Sequence, residues 1–390
     1  MRMGQQAWGW SLALALAVGS LTAGEEAPAA PPAQPDAAAV ANAAAEKAVK
    51  YFLAQANADG TFGKSMAAKS PGVVGLVVYG LAKSPGKRSP ELQAALDKAA
   101  GYLVALQQEN GAIAVPGHGL ENYMTSVSVM ALKALNDPKY DAVLAKAKPY
   151  ILSSQLTAAQ GYNKDEHYMA YGGFGYGGGK RADLSNTTFS LDALKALGMD
   201  ENSEEFKNAL VFVRRTQDNT ETNDVPAMKE GNNSGGFLYL PGTGEFGTEK
   251  NRAGKDVPKP YGNMTYAGIK CLIYCGAKPD SPELQAAWRW IKEHYDVTQN
   301  PGGKGSEGYY YYLVAFAKAF TAAKVNEIDL GDGKKAAWAK DLALHVSKLQ
   351  KPDGSWANEA ERWWESDPTL ATAYALIALD YAAANLASGK

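Results

Sequence analysis

YGGFGYGGGKRADLSNTTFSLDALKAL, residues 171–197, joins a Gly/aromatic turn to a helix that opens at Asp183 and then runs apolar. Versions of that unit recur along the chain. Amphipathic helices close on Gln55, Gln107, Gln155, Gln217, Gln299 and Gln350, at spacings of 52, 48, 62, 82 and 51 residues. A Gly-bearing turn follows each Gln, and a helix with an apolar octet follows each turn: VGLVVYGL (74–81), TSVSVMAL (125–132), TTFSLDAL (187–194), TYAGIKCL (265–272), YLVAFAKA (312–319) and TAYALIAL (372–379). Helices of the first kind carry charge along one face and must meet solvent. The octets are apolar nearly all round, as buried helices are. Ser89 and Ser281 open the same seven letters, SPELQAA, with Ser as N-cap, Pro at the first helical position and Glu favouring the positive end of the helix. That identity is direct evidence of internal repetition. Alternating strand-like runs are limited to pieces such as GFLYL (236–240). The sequence therefore predicts an all-α fold, an α/α toroid of six helical hairpin repeats, closed because the inner helices have no polar face to offer water.

With 46% hydrophobic and 10% aromatic residues in 390, the chain can bury a large core. Lys plus Arg of 39 against Asp plus Glu of 41, with no basic run, sets nucleic acid aside as a partner. Arg2 precedes an apolar run from Trp8 to Leu21 with small Ala23 after it, so residues 1–23 read as a signal peptide and the protein as secreted or periplasmic. That run is shorter than a spanning helix needs, and no transmembrane helix is expected after cleavage. Residues 24–36, rich in Pro and Ala, form a linker, and the folded domain is 37–390. Cys271 and Cys275 are the only cysteines; four apart on one helix face, they read as buried thiols.

The spacing of Gln350, Gly354 and Trp356, and its looser form in Gln55, Gly60 and Phe62, resembles the QW repeats of the squalene–hopene cyclase and protein prenyltransferase superfamily. GGFGYGGG (172–179) also looks like turns of that family, and the resemblance spans roughly residues 37–388. It implies an α/α toroid in which the Gln side chain ties the end of one helix to the start of the next while the aromatic packs on the turn. Hopene-type cyclases protonate their substrate with the middle Asp of D-x-D-D-T-A at the start of an inner helix. Aligned on the octet, that motif falls on residues 183–187, keeping Asp183 but placing Ser185 where the acid stands and Asn186 beside it. The metal-dependent branches match less. No Asp-Asp pair exists to hold magnesium, and the zinc set of the prenyltransferases is absent. GYGGGK lacks the context of a phosphate loop, so no cofactor and no metal are expected.

Two connections are swollen, 156–182 and 218–261, and all six outer-to-inner connections of a ring share one rim, where sites are built. That rim and the inner helices supply aromatic candidates for a ligand-binding wall: Tyr168, Tyr171, Phe174, Tyr176, Tyr266, Tyr310, Tyr311, Trp363 and Trp364, with Asn186 as a polar contact. Ring faces stabilise positive charge, as a carbocation or isoprenoid site requires. Candidate catalytic groups are Asp183, Asp367 and Glu365. As helix N-caps, Asp183 and Asp367 have a structural reading too, and capping would push the Asp183 pKa down. The expected function is an exported toroid that binds, and in an enzymatic version isomerises or cyclises, an isoprenoid or similar apolar ligand. Two alternatives stay open: a non-catalytic toroid binding a protein or glycan partner at the rim, and a polysaccharide lyase or hydrolase. A dry aromatic hollow would favour the first, a polar groove with facing carboxylates the last.

Overall fold

The computed structural model describes residues 35–86, 88–167, 169–177 and 181–389. The proposed signal peptide lies outside these, as does all but the end of the linker. The described residues are mostly helical. Six helices lie buried: α2 (Pro71–Lys83), α4 (Glu121–Leu135), α6 (Leu184–Ala196), α8 (Gly262–Tyr274), α10 (Tyr309–Ala323) and α12 (Pro368–Ser388). Six others present one wet face: α1 (Ala37–Gln55), α3 (Pro90–Ala105), α5 (Asp141–Ser153), α7 (Glu204–Arg215), α9 (Pro282–His294) and α11 (Trp338–Lys348). Every octet falls within an even-numbered helix. The division is physical, because α2 is buried without a break from Pro71 to Leu81, whereas α3 buries only Leu92, Leu96, Ala99, Ala100 and Leu103. Each inner helix packs on the next, and α12 returns to α2. α12 is long and apolar enough to cross a membrane, but its apolar surface is spent inside this ring.

Two repeated devices hold the turns. At Gln107, Gln155, Gln217 and Gln350 the side-chain amide donates to the glycine carbonyl of its own turn and to a carbonyl of the next outer helix: Val143 at 2.9 Å, Glu205 at 2.8 Å, Glu283 at 2.8 Å and Ala44 at 2.8 Å. The clamp thus joins outer helix to outer helix, not one helix to its successor in the chain, and through Gln350 it joins α11 to α1. The turn glycine must be glycine. Gly354 has φ +90°, and a Cβ there would stand 2.4 Å from the Lys47 carbonyl oxygen; Gly111, Gly172 and Gly235 approach their neighbouring helices as closely. In the second device, a threonine at the octet start accepts from the backbone N–H two residues past the glycine: Thr125 from Ile113, Thr187 from Phe174 and Thr265 from Phe237, each at 3.0 Å, and Thr372 from Trp356 at 2.9 Å.

Several expectations need correction. Gln299 does not close a helix, since α9 ends at His294 and the Gln299 amide donates to Asp296 Oδ2 at 2.8 Å. The pairing is also less regular than helix, turn, helix: α3, α5 and α9 pack chiefly on the inner helix before them, and α1 packs on α11 and α12. Two short hairpins escape the all-helical reading, β1 (Thr248–Lys250) with β2 (Asp256–Pro258), and β3 (Ile328–Gly331) with β4 (Lys334–Ala336). Their strands are mostly exposed and too short for alternation to register. GFLYL contributes only isolated bridges. Cys271 and Cys275 are buried free thiols.

Replacing Gly354 by Ala should cost about 2–4 kcal/mol, from left-handed strain plus the clash with α1. Gln350→Ala should cost about 1–3 kcal/mol by stripping two carbonyls of their donor. Gly101→Ala, within α3 and with open space around it, should instead gain about 0.5–1 kcal/mol. Urea unfolding midpoints of the three variants check this order.

Candidate functional site

The inner helices begin at the rim, and there they leave a cavity of about 520 Å³. Its wall follows a rule of register. Residues two before the octet start, Tyr123, Ser185, Asn263 and Leu370, line it, and so do Phe189 and Tyr374, two after the start. All six outer-to-inner connections contribute, from Ser70 and Leu120 round to Gly308 and Glu365. The wall is mainly apolar. Phe189 meets Tyr123 edge-on at 4.9 Å and stacks with Tyr311 at 5.9 Å, and Tyr311 lies 5.9 Å from Tyr374. Burial pushes the Tyr123 hydroxyl up to about 12 and raises those of Tyr311 and Tyr374, so the three tyrosines face the cavity as neutral phenols.

One sector is polar. Asp183, fully buried behind the wall, caps α6 by accepting from Asn186 N at 2.8 Å and Asn186 Nδ2 at 2.9 Å. Asp183 lies close to Tyr239, whose hydroxyl meets that of Tyr176 at 2.6 Å. Both tyrosines line the cavity. The pKa of Asp183 goes the opposite way from the expectation for a helix cap: burial raises it to about 6, outweighing the hydrogen bonds from Asn186 and Tyr239 that lower it. Solvent exclusion wins here because the carboxyl is fully buried.

Glu365 is also buried, and both of its oxygens are engaged. It accepts from the backbone N–H of Tyr310 at 3.1 Å and of Tyr311 at 2.8 Å, and from Asn358 Nδ2 at 2.7 Å. It thus caps α10, whose own N-cap is Gly308. Burial raises its pKa, with these bonds opposing. The positive ends of the inner helices point toward the cavity, and two of them are met by buried carboxyls.

Trp363 and Trp364 stand at the mouth, 45% and 49% exposed, both in left-handed backbone at φ 57° and 65°. Such strain at two bulky residues persists only where the surroundings hold it. Arg362 stacks on Trp363 at 4.4 Å and pairs with Glu245 and with Glu307, while Phe246 meets Trp363 edge-on at 5.9 Å.

Of the candidates read from sequence, Tyr176, Asn186, Tyr311, Trp363, Trp364 and Glu365 line this cavity, with Asp183 behind it. The others do not. Phe174 is fully buried on its turn, and Tyr266 packs among Tyr312, Phe316 and Phe320, because the position after Thr265 faces α10. Tyr310 is buried beside Tyr309. The Tyr171 hydroxyl donates to Asn208 Oδ1 at 3.0 Å, across to α7. Asp367 caps α12, accepting from Thr369 N at 2.8 Å and from Ser65. Tyr168 lies outside the described residues. Sequence reasoning passed over Tyr123, Phe189, Arg181 and Glu245. The octet alignment held the signal for the first two; the loop positions of the others carried none. Among the described residues, no three His, Cys, Asp or Glu side chains gather as metal ligands.

No family model matches the chain, and no curated protein sequence matches it. Solved structures do. A variant of the type II terpene cyclase MstE from Scytonema, in complex with geranylgeranyl dihydroxybenzoate, matches with TM-score 0.51 and 13% identity, over 90% of this chain and 99% of that one. The GH76A alpha-1,6-mannanase of Salegentibacter sp. HEL1_6 matches with TM-score 0.53 and 15% identity, over 90% and 100%. Its inactive variant in complex with alpha-1,6-mannotriose gives 0.55 and 12%, over the same shares. At these identities the likeness shows the fold alone, a mostly helical, toroid-like architecture on which one neighbour binds an isoprenoid compound and another a glycan.

Proposed function

We propose that this chain is an exported six-repeat α/α toroid that binds an isoprenoid or similarly elongated apolar ligand in its rim cavity. The observation that carries this reading is the cavity itself. Its volume of about 520 Å³ falls within the roughly 300–1,000 Å³ usual for small-molecule sites, and its wall is built of Tyr123, Phe189, Tyr311 and Tyr374. The terpene cyclase neighbour supports it as an analogy of fold. A glycan site draws less support, because the cavity wall is mainly apolar. Export rests on the signal-like residues 1–23.

The acid this site offers is Asp183, buried behind the wall beside Tyr239 and Tyr176. An acid of that strength protonates a ligand oxygen, such as an epoxide or carbonyl, far more readily than an alkene carbon. Isomerisation of an oxygenated isoprenoid therefore fits the chemistry better than cyclisation begun at a bare polyene.

Native mass spectrometry of the mature chain, with farnesol and mannotriose as probes, tests the binding claim. Farnesol should be retained, and Phe189→Trp, which fills the cavity from its wall, should weaken it by about tenfold. Retention of mannotriose with no retention of farnesol would overturn the reading. For Asp183, a folded-state pKa above the unfolded value means the native state holds its proton more tightly. Its contribution to stability is full below about pH 4 and is lost as pH rises through about 6, a change of about 3 kcal/mol. Asp183→Asn should remove that pH-dependent component from urea unfolding compared at about pH 4 and 7. An unchanged pH dependence would contradict the assigned shift.

A further inference from the structure

Beneath the cavity, on the side away from the rim, Phe189 and Tyr311 also wall a second, much smaller void of about 10 Å³, room for roughly one water. Its other lining includes Asp192 of α6, Lys270 of α8 and Lys318 of α10. These three charged side chains are 7%, 2% and 5% exposed. Both ammonium groups meet one atom, Asp192 Oδ2, at 2.5 and 2.7 Å. Each ammonium brings three donors, so the donors far outnumber the acceptor they share. The cluster also carries a formal surplus of one positive charge, which is costly to hold away from water.

Neighbouring elements do not cancel that surplus. From α2, the Tyr79 ring lies 5.4 Å from Lys318 Nζ, and Lys83 adds another positive charge over Tyr79 and Tyr381. From α12, Tyr381 is a neutral phenol, and burial pushes the Asp380 carboxyl well above its usual range, against its charged form. From α8, the Tyr274 ring lies 5.6 Å from Lys270 Nζ, and burial raises its hydroxyl, so it too is a neutral phenol. Burial pushes Asp192 up, but the two lysines outweigh that and keep it an anion, while Lys318 is lowered by burial to about 8 against the pull of Asp192.

We propose that Lys270 and Lys318 form a carboxylate-binding floor, taking the anionic end of an amphiphilic acid whose apolar body fills the aromatic cavity. The proposal rests on the cavity reading above and adds the ligand's charge to it. Tyr311 is the movable partition. Half-buried, with its hydroxyl 3.2 Å from Ser185 Oγ, it needs only to turn away from Phe189 for the two spaces to join. The carboxylate then supplies acceptors to the surplus N–H groups and the counter-charge the cluster lacks.

Farnesoic acid and farnesol, matched except for the head group, are titrated into the mature chain. At about pH 6.5 the acid should bind about tenfold tighter, and that advantage should disappear by about pH 9.5, as Lys318 loses its proton, while farnesol affinity stays level. Lys318→Met should abolish the preference without changing farnesol binding, and Lys318→Arg should keep it. Circular dichroism checks that the variants fold, and the pH series on the unaltered protein needs no variant. Sodium acetate should compete with the acid and not with the alcohol; if acetate blocks both or neither, the carboxylate does not sit on the floor. Equal affinities for acid and alcohol, or a loss shared by both in Lys318→Met, would overturn the proposal and leave the cavity standing. Failure of farnesol itself to bind would instead bring down the cavity reading.

Discussion

One short interaction closes the molecule: the Gln350 side chain, at the end of α11, donates to the Ala44 carbonyl in α1, 306 residues away in sequence. It repeats what Gln107, Gln155 and Gln217 do between successive outer helices, with a glycine beside each that lets the turn lie against the neighbour's backbone. The clamp is small in energy but strict in geometry. A Cβ on Gly354, as on Gly111 or Gly172, would collide with a carbonyl rather than with a flexible side chain. The clamps tie four pairs of outer helices together around the ring of inner ones. The rim cavity is what that ring leaves unfilled where its helices begin.

The chemistry of the site follows from where those helices start. Their N-termini turn positive partial charge toward the cavity, and the fold answers with Asp183 on α6 and Glu365 on α10. Both carboxyls are buried caps. Glu365 spends both oxygens on the first turn of α10, and Asp183 spends both on Asn186. In each, burial outweighs the hydrogen bonds of the cap and the proton is held more tightly than on an exposed carboxyl. Farther along the same inner helices the balance reverses, and Lys270 and Lys318 crowd one carboxylate.

Much of the architecture was legible because it is repeated. Six apolar octets, two SPELQAA starts and the recurring Gln-to-Gly spacings each report a local rule, and the copies make the rule visible. The β hairpins at 248–258 and 328–336 were not, since strands of three or four mostly exposed residues leave no alternation to read. The site was legible in part. Tyr311, Trp363 and Trp364 were found as aromatic residues near helix starts, but the same reasoning also took in Phe174 and Tyr266, whose rings turn into the core. Nothing in a lone aromatic tells wall from core. Register does: Tyr123 and Phe189 stand two residues on either side of an octet start, and that relation becomes meaningful once the inner ends of the helices are known to converge. The rise in the Asp183 pKa could not be read from a capping motif, because it depends on how completely the folded chain buries the carboxyl.

The most direct test of the central claim is diffraction from crystals of the mature chain grown with farnesol. The account predicts continuous density for an extended chain between Phe189 and Tyr374, running inward from beneath Trp363. A file of ordered waters in that space, or rings of Tyr123, Tyr311 and Tyr374 collapsed across it, would contradict it.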